Sequence, residues 1–321
     1  MLHFTSIHDV ANLKALLHDA VSIKANPFQY ETLGKHRTMG LLFFNPRLRT
    51  RLSTQKAAEN LGMKTMVLNI NEDGWKIETE FGVVMNGDKA EHIKEAAAVI
   101  GRYCDIIGIR SFPSLKDREA DYSESVINQF KQYAGVPIVS MESATRHPLQ
   151  SFADVITIEQ YKNTERPKVL LAWAPHCRAL PQSVPNSFAE WAVAAGYETV
   201  ITHPEGYELD AMFTKGATIE YDREKAYKDA DFVYVKNWSS YSDYGKILCE
   251  DLAWTCNAKN MALTNNARFM HCLPVRRNLV VSDEVIDSPN SIVIEEAANR
   301  VVSAQTVIRE ILLSLQNNFS Y

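Results

Sequence analysis

The feature that most constrains this chain is alternation. Short apolar runs and amphipathic stretches take turns along nearly its whole length. Apolar runs at 39–44, 106–110, 136–141, 169–173, 199–203, 232–235, 268–271 and 292–294 have the length of buried strands. Between them, Ile93, Ala97 and Ile100 recur at helical spacing, as do Phe188, Trp191, Ala192 and Ala195. Strand-helix alternation of this kind predicts an α/β chain whose parallel sheets carry helices on both faces. With 321 residues the chain is too long for one ordinary core, so two such domains are expected. The pattern passes from one run of units to the next near residues 148–154. The expected division is therefore 1–148 and 149–300. A last helix carrying Ala304, Ile308, Ile311, Leu312 and Leu315 on one stripe completes the first domain over 301–321.

In open parallel sheets, ligands bind beyond the carboxyl ends of the strands. The residues that follow each predicted strand are thus the place to look for chemistry. The first strand leads into Asn45-Pro-Arg-Leu-Arg-Thr-Arg51, and the second ends in Arg110. The third gives Glu142 and then Arg146-His147-Pro148-Leu149-Gln150. His176 follows the fourth, Lys236-Asn237-Trp238 the sixth, and His271-Cys272-Leu273-Pro274-Val275-Arg276-Arg277 the seventh. Loops are polar by default, but cations and histidines at so many strand ends exceed that default.

The segment after the first strand has a direct physical reading. A helix opening near Leu48 presents free backbone N–H groups and the positive end of its dipole. Arg49 and Arg51 add forked donors suited to phosphate, and Thr50 adds a hydroxyl. This is an oxyanion site built without a Walker lysine or a glycine-rich loop.

Composition excludes several classes. A net charge of −5 argues against a general nucleic-acid binder, and no apolar run approaches the roughly 18 residues of a membrane span. The opening MLHFTSIHDV lacks the basic-then-apolar pattern of a secretory signal. Five scattered cysteines without a C-x-x-C pair predict reduced thiols in a cytoplasm. The nine histidines show no metal-binding spacing, so neither metal nor cofactor is expected.

Taken in order, Arg49-Thr50-Arg51, His147-Pro-Leu-Gln150 and His271-Cys-Leu-Pro274 resemble the three signatures of the carbamoyltransferases. Gly74-Trp75-Lys76, the stretch Met141-Glu142 to His147, Trp173-Ala-Pro-His176, Lys236-Asn237-Trp238 and the Arg276-Arg277 extension resemble the acylornithine branch. The resemblance implies transfer of a carbamoyl group from carbamoyl phosphate to the δ-amine of an Nα-acylated ornithine, in a homotrimer and without a cofactor. It implies that Arg47, Leu48, Arg49, Thr50 and Arg51 hold phosphate, with Trp75 reaching in from a neighbouring subunit. Arg110, His147 and Gln150 would surround the carbamoyl group, with Arg300 as a further contact. Arg110, His147 and Thr50 would be the catalytic donors. Cys272 and Leu273 would offer backbone carbonyls near the reacting amine, Cys272 not as a thiol nucleophile. Glu142, His176, Lys236 and Arg276 would face the acylornithine.

Arg47 departs from the family, which has a small hydroxyl residue there. That departure is what a non-catalytic, anion-binding paralogue would show, whereas the intact Arg49, Arg51, Arg110, His147, Gln150 and Cys272 favour an enzyme. The segment 85–92 resembles the loop bordering the acyl group. Acetyl-preferring relatives carry a glutamate where Ala90 stands. A glutamate would repel the carboxylate of a succinyl group, so Ala90 favours N-succinyl-L-ornithine, with Lys89 or Lys236 as counter-charge and N-acetyl-L-ornithine as the alternative. Cys104, Trp173 and Trp191 are read as packing residues.

Overall fold

The run of five buried residues that closes strand β1 (Thr38–Phe43) is what a parallel strand covered on both faces requires. Gly40 within it has a packing reason. A Cβ there would meet Cys104 Sγ at 2.7 Å. β1 pairs on one side with β2 (Lys64–Asn69). A small ribbon, β3 (Lys76–Glu78) with β4 (Lys89–His92), precedes β5 (Ile106–Arg110) and β6 (Ile138–Glu142). The computed structural model describes residues 1–45, 48–70 and 72–318.

All pairings in the first sheet are parallel, in the order β2-β1-β5-β6. The second sheet is also parallel. It runs in the order β11-β10-β7-β8-β9 through β7 (Lys168–Trp173), β8 (Glu198–Thr202), β9 (Thr218–Ile219), β10 (Phe232–Lys236) and β11 (Arg268–Met270). Helices flank both sheets, so the α/β class with two parallel sheets is what the chain adopts.

Two compact units result. One comprises Met1–Pro113, Glu119–Leu149 and the chain from Arg300 onward; the other comprises Ser114–Arg118 and Gln150–Asn299. The first unit packs Leu42, Ile93, Ala97, Ile107, Ile109 and Phe130 in one cluster. The second packs Leu170, Ala172, Val233, Val235 and Phe269 with the helix residues Ala226 and Tyr227. Among the described residues no helix is long and apolar enough to cross a membrane.

One expected strand is absent. Residues 292–294 open the helix Val293–Asn318, with only Ser291 bridging to Phe269. Three apolar residues cannot distinguish a strand from a buried helix turn. Glu295, in the helix's first turn, is a favourable charge for a helix start. Four strands escaped the sequence reading: β2, β3, β4 and β9. β2 alternates between exposed and half-buried positions instead of forming a buried run, and the others have two to four residues.

Candidate active site

Each sheet reverses its strand order at one place, and the candidate residues gather there. In the first unit the reversal lies between β1 and β5, whose last paired residues are Phe43 and Arg110. In the second it lies between β7 and β10, ending at the pair Trp173 and Lys236. Backbone groups splay apart beyond such points, which leaves a crevice for a ligand.

In the first unit, the helix expected near Leu48 spans Leu48–Asn60. Arg49 is half-buried, Arg51 and Leu48 are exposed, and Thr50 is buried. Arg47 lies outside the described residues. Arg300, on the C-terminal helix, donates from Nη2 to Thr50 Oγ1 at 2.7 Å. Two residues far apart in sequence, both assigned to carbamoyl phosphate, are therefore in direct contact.

Arg110 is 0% exposed, so its charge needs partners on the spot. Its Nε and Nη2 donate to Glu142 Oε2 at 3.1 and 2.7 Å, and its Nη1 donates to the Asn45 carbonyl at 3.1 Å. The guanidinium also lies 4.9 Å from the Phe112 ring. His147 Nε2 stands 4.0 Å from the same Glu142 oxygen. Arg110, Glu142 and His147 thus form one buried cluster. The sequence expectation set Glu142 with the acylornithine residues His176, Lys236 and Arg276; those three lie in the second unit.

His147 is delivered by a tight turn. Ser143 N–H donates to the Arg146 carbonyl at 2.7 Å, and Pro148 then opens the helix Pro148–Tyr161. Proline at a first helical position lacks only a donor the helix would not use, and its φ is already set. Glu124 braces the turn, accepting from Ser143 Oγ at 2.6 Å and from the Thr145 amide at 2.8 Å. It does so from a left-handed backbone, φ 52 and ψ 35.

Trp75 and Ala90 belong to the β3–β4 ribbon. The Trp75 indole N–H donates to Glu91 at 2.8 Å while the residue stays 61% exposed. Ala90 is exposed too. Lys76 pairs with Asp88. Lys89 pairs with Glu78 at 2.7 Å and holds that carboxyl below its ordinary range. Lys89 is therefore committed within the ribbon.

In the second unit, His176 follows β7. Arg276 Nε donates to His176 Nε2 at 3.2 Å, and His176 Nδ1 lies 3.1 Å from the Arg178 carbonyl. The Arg178 amide also donates to His176 Nδ1, at 3.0 Å. Burial, then the positive charges of Lys236, Arg276 and Arg178, keeps the His176 pKa below the ordinary value. Lys236 ends β10, is buried, and makes no ion pair among the described residues. The segment behind it is rigid. Asn237 Nδ2 donates to the Ala174 carbonyl at 2.6 Å, and Trp173 Nε1 donates to the Trp238 carbonyl at 2.9 Å. Trp173 and Trp191 are buried packing residues.

After β11, His271 Nδ1 accepts the Leu273 amide at 2.8 Å. Leu273 adopts φ 50, and its bond to Pro274 is cis. Cys272 and Leu273 are half-buried. None of the five cysteines is in a disulfide among the described residues. Gln150 is buried and donates to Asp154 Oδ1 at 2.8 Å. Glu124, Asp154 and Glu296 are site neighbours that sequence reasoning passed over. Asp154 had a readable signal, four residues beyond Gln150 on the same helix face. The other two act across the fold and left none.

Residues 2–160 match the family described as aspartate/ornithine carbamoyltransferase, carbamoyl-P binding domain. Residues 180–311 match its Asp/Orn binding domain. The chain is 58% identical to an N-succinylornithine carbamoyltransferase of Bacteroides thetaiotaomicron, over 98% of this chain and 100% of that one. To an N-acetylornithine carbamoyltransferase of Xanthomonas axonopodis it is 37% identical, over 93% of each. Among solved structures, a mutant N-acetyl-L-ornithine transcarbamylase complexed with carbamyl phosphate and N-succinyl-L-norvaline superposes with a TM-score of 0.92 at 34% identity, covering 97% of this chain and 100% of that one. The chain therefore belongs to the aspartate/ornithine carbamoyltransferase family.

Proposed function

We propose that this protein transfers the carbamoyl group of carbamoyl phosphate to the δ-amine of N-succinyl-L-ornithine, giving N-succinyl-L-citrulline and phosphate. Likeness over nearly the whole chain to an N-succinylornithine carbamoyltransferase, well above that to the N-acetylornithine enzymes, carries this reading. The product is one that arginine biosynthesis would consume.

In this reading the first unit holds carbamoyl phosphate. The phosphate rests on the free N–H groups at the start of the helix Leu48–Asn60 and on Arg49 and Arg51. Arg300 orients the Thr50 hydroxyl through their hydrogen bond. Carbamoyl phosphate is already activated, so catalysis consists of placing two substrates in contact and stabilising charge. The uncharged amine attacks the carbonyl carbon and a C–N bond forms. The carbonyl oxygen gains negative charge, which Arg110, His147 and Thr50 are the donors to meet. The bond from carbon to the phosphate oxygen then breaks, and phosphate leaves with the bonding pair and accepts the amine's proton. Glu142, bonded to Arg110, fixes the direction of that guanidinium.

The second unit holds the acylornithine. Lys236, buried without an ion pair among the described residues, supplies the cation a carboxylate needs, and Arg276 and neutral His176 join it. The Cys272 and Leu273 carbonyls receive the δ-amine. Lys89 is held by Glu78, so Lys236 is the better partner for an anionic group. Ala90 leaves the acyl pocket without an acidic side chain, as the succinyl carboxylate requires. The exposed Trp75, with Phe81 and Val84 exposed beside it, is the element offered to a neighbouring subunit of a homotrimer. The cytoplasm suits a chain whose five cysteines form no disulfide among the described residues.

The test is a product assay. Carbamoyl phosphate is mixed with N-succinyl-L-ornithine, N-acetyl-L-ornithine or ornithine, and ureido product and phosphate are measured. The highest kcat/KM is expected with the succinyl substrate; a higher value with either of the others overturns the assignment.

A further inference from the structure

Asp154 and Glu296 are both fully buried, on the helices Pro148–Tyr161 and Val293–Asn318. Both carboxyl groups meet the side-chain amide of one residue, Gln150. Gln150 Nε2 donates to Asp154 Oδ1 at 2.8 Å and reaches Glu296 Oε1 at 3.5 Å. Glu296 Oε2 accepts the backbone N–H of His271 at 2.8 Å. Gln150 Oε1, also buried, has no hydrogen-bond partner among the described residues. One pair of acids therefore touches both the glutamine after His147 and the first residue of the turn after β11.

We propose that Asp154 and Glu296 are positioning residues for carbamoyl transfer: they turn the Gln150 amide so that its oxygen is offered to the carbamoyl –NH2, and they pin the backbone entering the 271–274 turn. This inference rests on the carbamoyltransferase reading above. The two ends of an amide side chain are nearly isosteric, so its hydrogen bonds decide which way it faces. Carboxyl oxygens toward Gln150 act as acceptors, so the –NH2 faces them and the oxygen faces away. The opposite orientation would set the amide oxygen against carboxyl oxygens and leave a buried donor unpaired. The oxygen end of the amide is then an acceptor awaiting a donor. Carbamoyl phosphate brings one in its –NH2, and inorganic phosphate brings none.

A shared proton makes the arrangement possible. Two buried carboxyl groups side by side do not both ionise. Burial first, then the Asp154 charge, raises the Glu296 pKa well above the ordinary range. The retained proton spares the pair a second buried charge and leaves acceptors for Gln150 and for His271.

The experiment measures binding of carbamoyl phosphate and of inorganic phosphate by calorimetry, with kcat and KM, for wild type, Glu296→Met and Glu296→Gln. Glu296→Met keeps volume and removes the acceptors. It is expected to weaken carbamoyl phosphate about tenfold or more while inorganic phosphate stays within about twofold, and kcat should fall by more than KM for the acylornithine rises. In Glu296→Gln the new amide keeps an oxygen that can accept from His271 and adds no buried charge, so it should restore most of what the methionine variant loses. Equal loss of both ligands in folded Glu296→Met, or loss of neither, overturns the proposal. Should the methionine variant fail to fold, Glu296→Gln decides, because an approximately tenfold selective loss of carbamoyl phosphate there also overturns it. A wild-type protein that binds no carbamoyl phosphate removes the underlying reading instead, a failure distinguished by its appearance before any substitution.

Discussion

Thr50 and Arg49 are neighbours with different duties. Thr50 is buried and spends its oxygen on Arg300, whereas half-buried Arg49 keeps its charge at the helix start. Arg49→Ala should therefore act mainly on carbamoyl phosphate. Losing one charge-assisted bond of about 1.5–3 kcal/mol raises its KM or lowers kcat/KM by roughly 10- to 150-fold. Steady-state kinetics at limiting carbamoyl phosphate check this, and an unchanged rate would remove Arg49 from the phosphate site. Ala90 is the residue proposed to border the acyl group of the other substrate. Ala90→Glu sets a carboxylate beside the succinyl group. Two charges at about 4 Å interact by about 4 kcal/mol at an effective dielectric of 20, and the exposure of Ala90 reduces that. The succinyl-to-acetyl ratio of kcat/KM should fall by roughly 5- to 30-fold, about 1–2 kcal/mol. A ratio that does not move would show that Ala90 does not border the acyl group.

Elements were legible where one physical signal dominated. The buried runs of β1, β5, β7 and β10 read directly as strands, because a parallel strand covered on both faces has no polar side to confuse the pattern. The helix start at Leu48 was legible for the same reason, since it follows such a strand. The β3–β4 ribbon was not legible. It is held by side-chain pairs such as Lys89 with Glu78 and Trp75 with Glu91, which carry no period. The residues named after the strands were readable because strand ends are where side chains can reach a ligand. Their supports were hidden: the partner of Gln150 on the last helix, Glu296, lies 146 residues away. Glu124 is another hidden support, and it yields a prediction about the turn 143–146. Glu124→Ala keeps a left-handed backbone at that position and removes the acceptor of Ser143 and Thr145. Thermal melts should show a loss of about 1–3 kcal/mol. Because His147 follows the turn directly, kcat should fall with it. Unchanged stability would mean that the turn holds without Glu124.

At the scale of the whole molecule, the ribbon decides between a self-sufficient chain and a shared site. Trp75 is 61% exposed, an unusual state for a tryptophan, and its indole nitrogen is already occupied by Glu91. Its ring face remains available to another chain. Arg110, in contrast, is wholly buried within its own unit. In a homotrimer with sites completed by a neighbour, each site uses Arg110 from one subunit and Trp75 from the next. Trp75→Ala and Arg110→Ala proteins would each be nearly inactive alone. In an equal mixture after subunit exchange, a site works when its Arg110 comes from the first variant and its Trp75 from the second. For random assembly around a cyclic trimer that occurs at about one site in four. The mixture should recover about a quarter of wild-type activity, counted per subunit. If each chain instead supplied both residues to its own site, every site would lack one of them, and no mixing ratio would restore activity. The measurement is the rate of ureido product formation after exchange, with mixed assemblies verified by tagging one variant. A flat, inactive mixture containing verified mixed assemblies would place Trp75 outside any shared site.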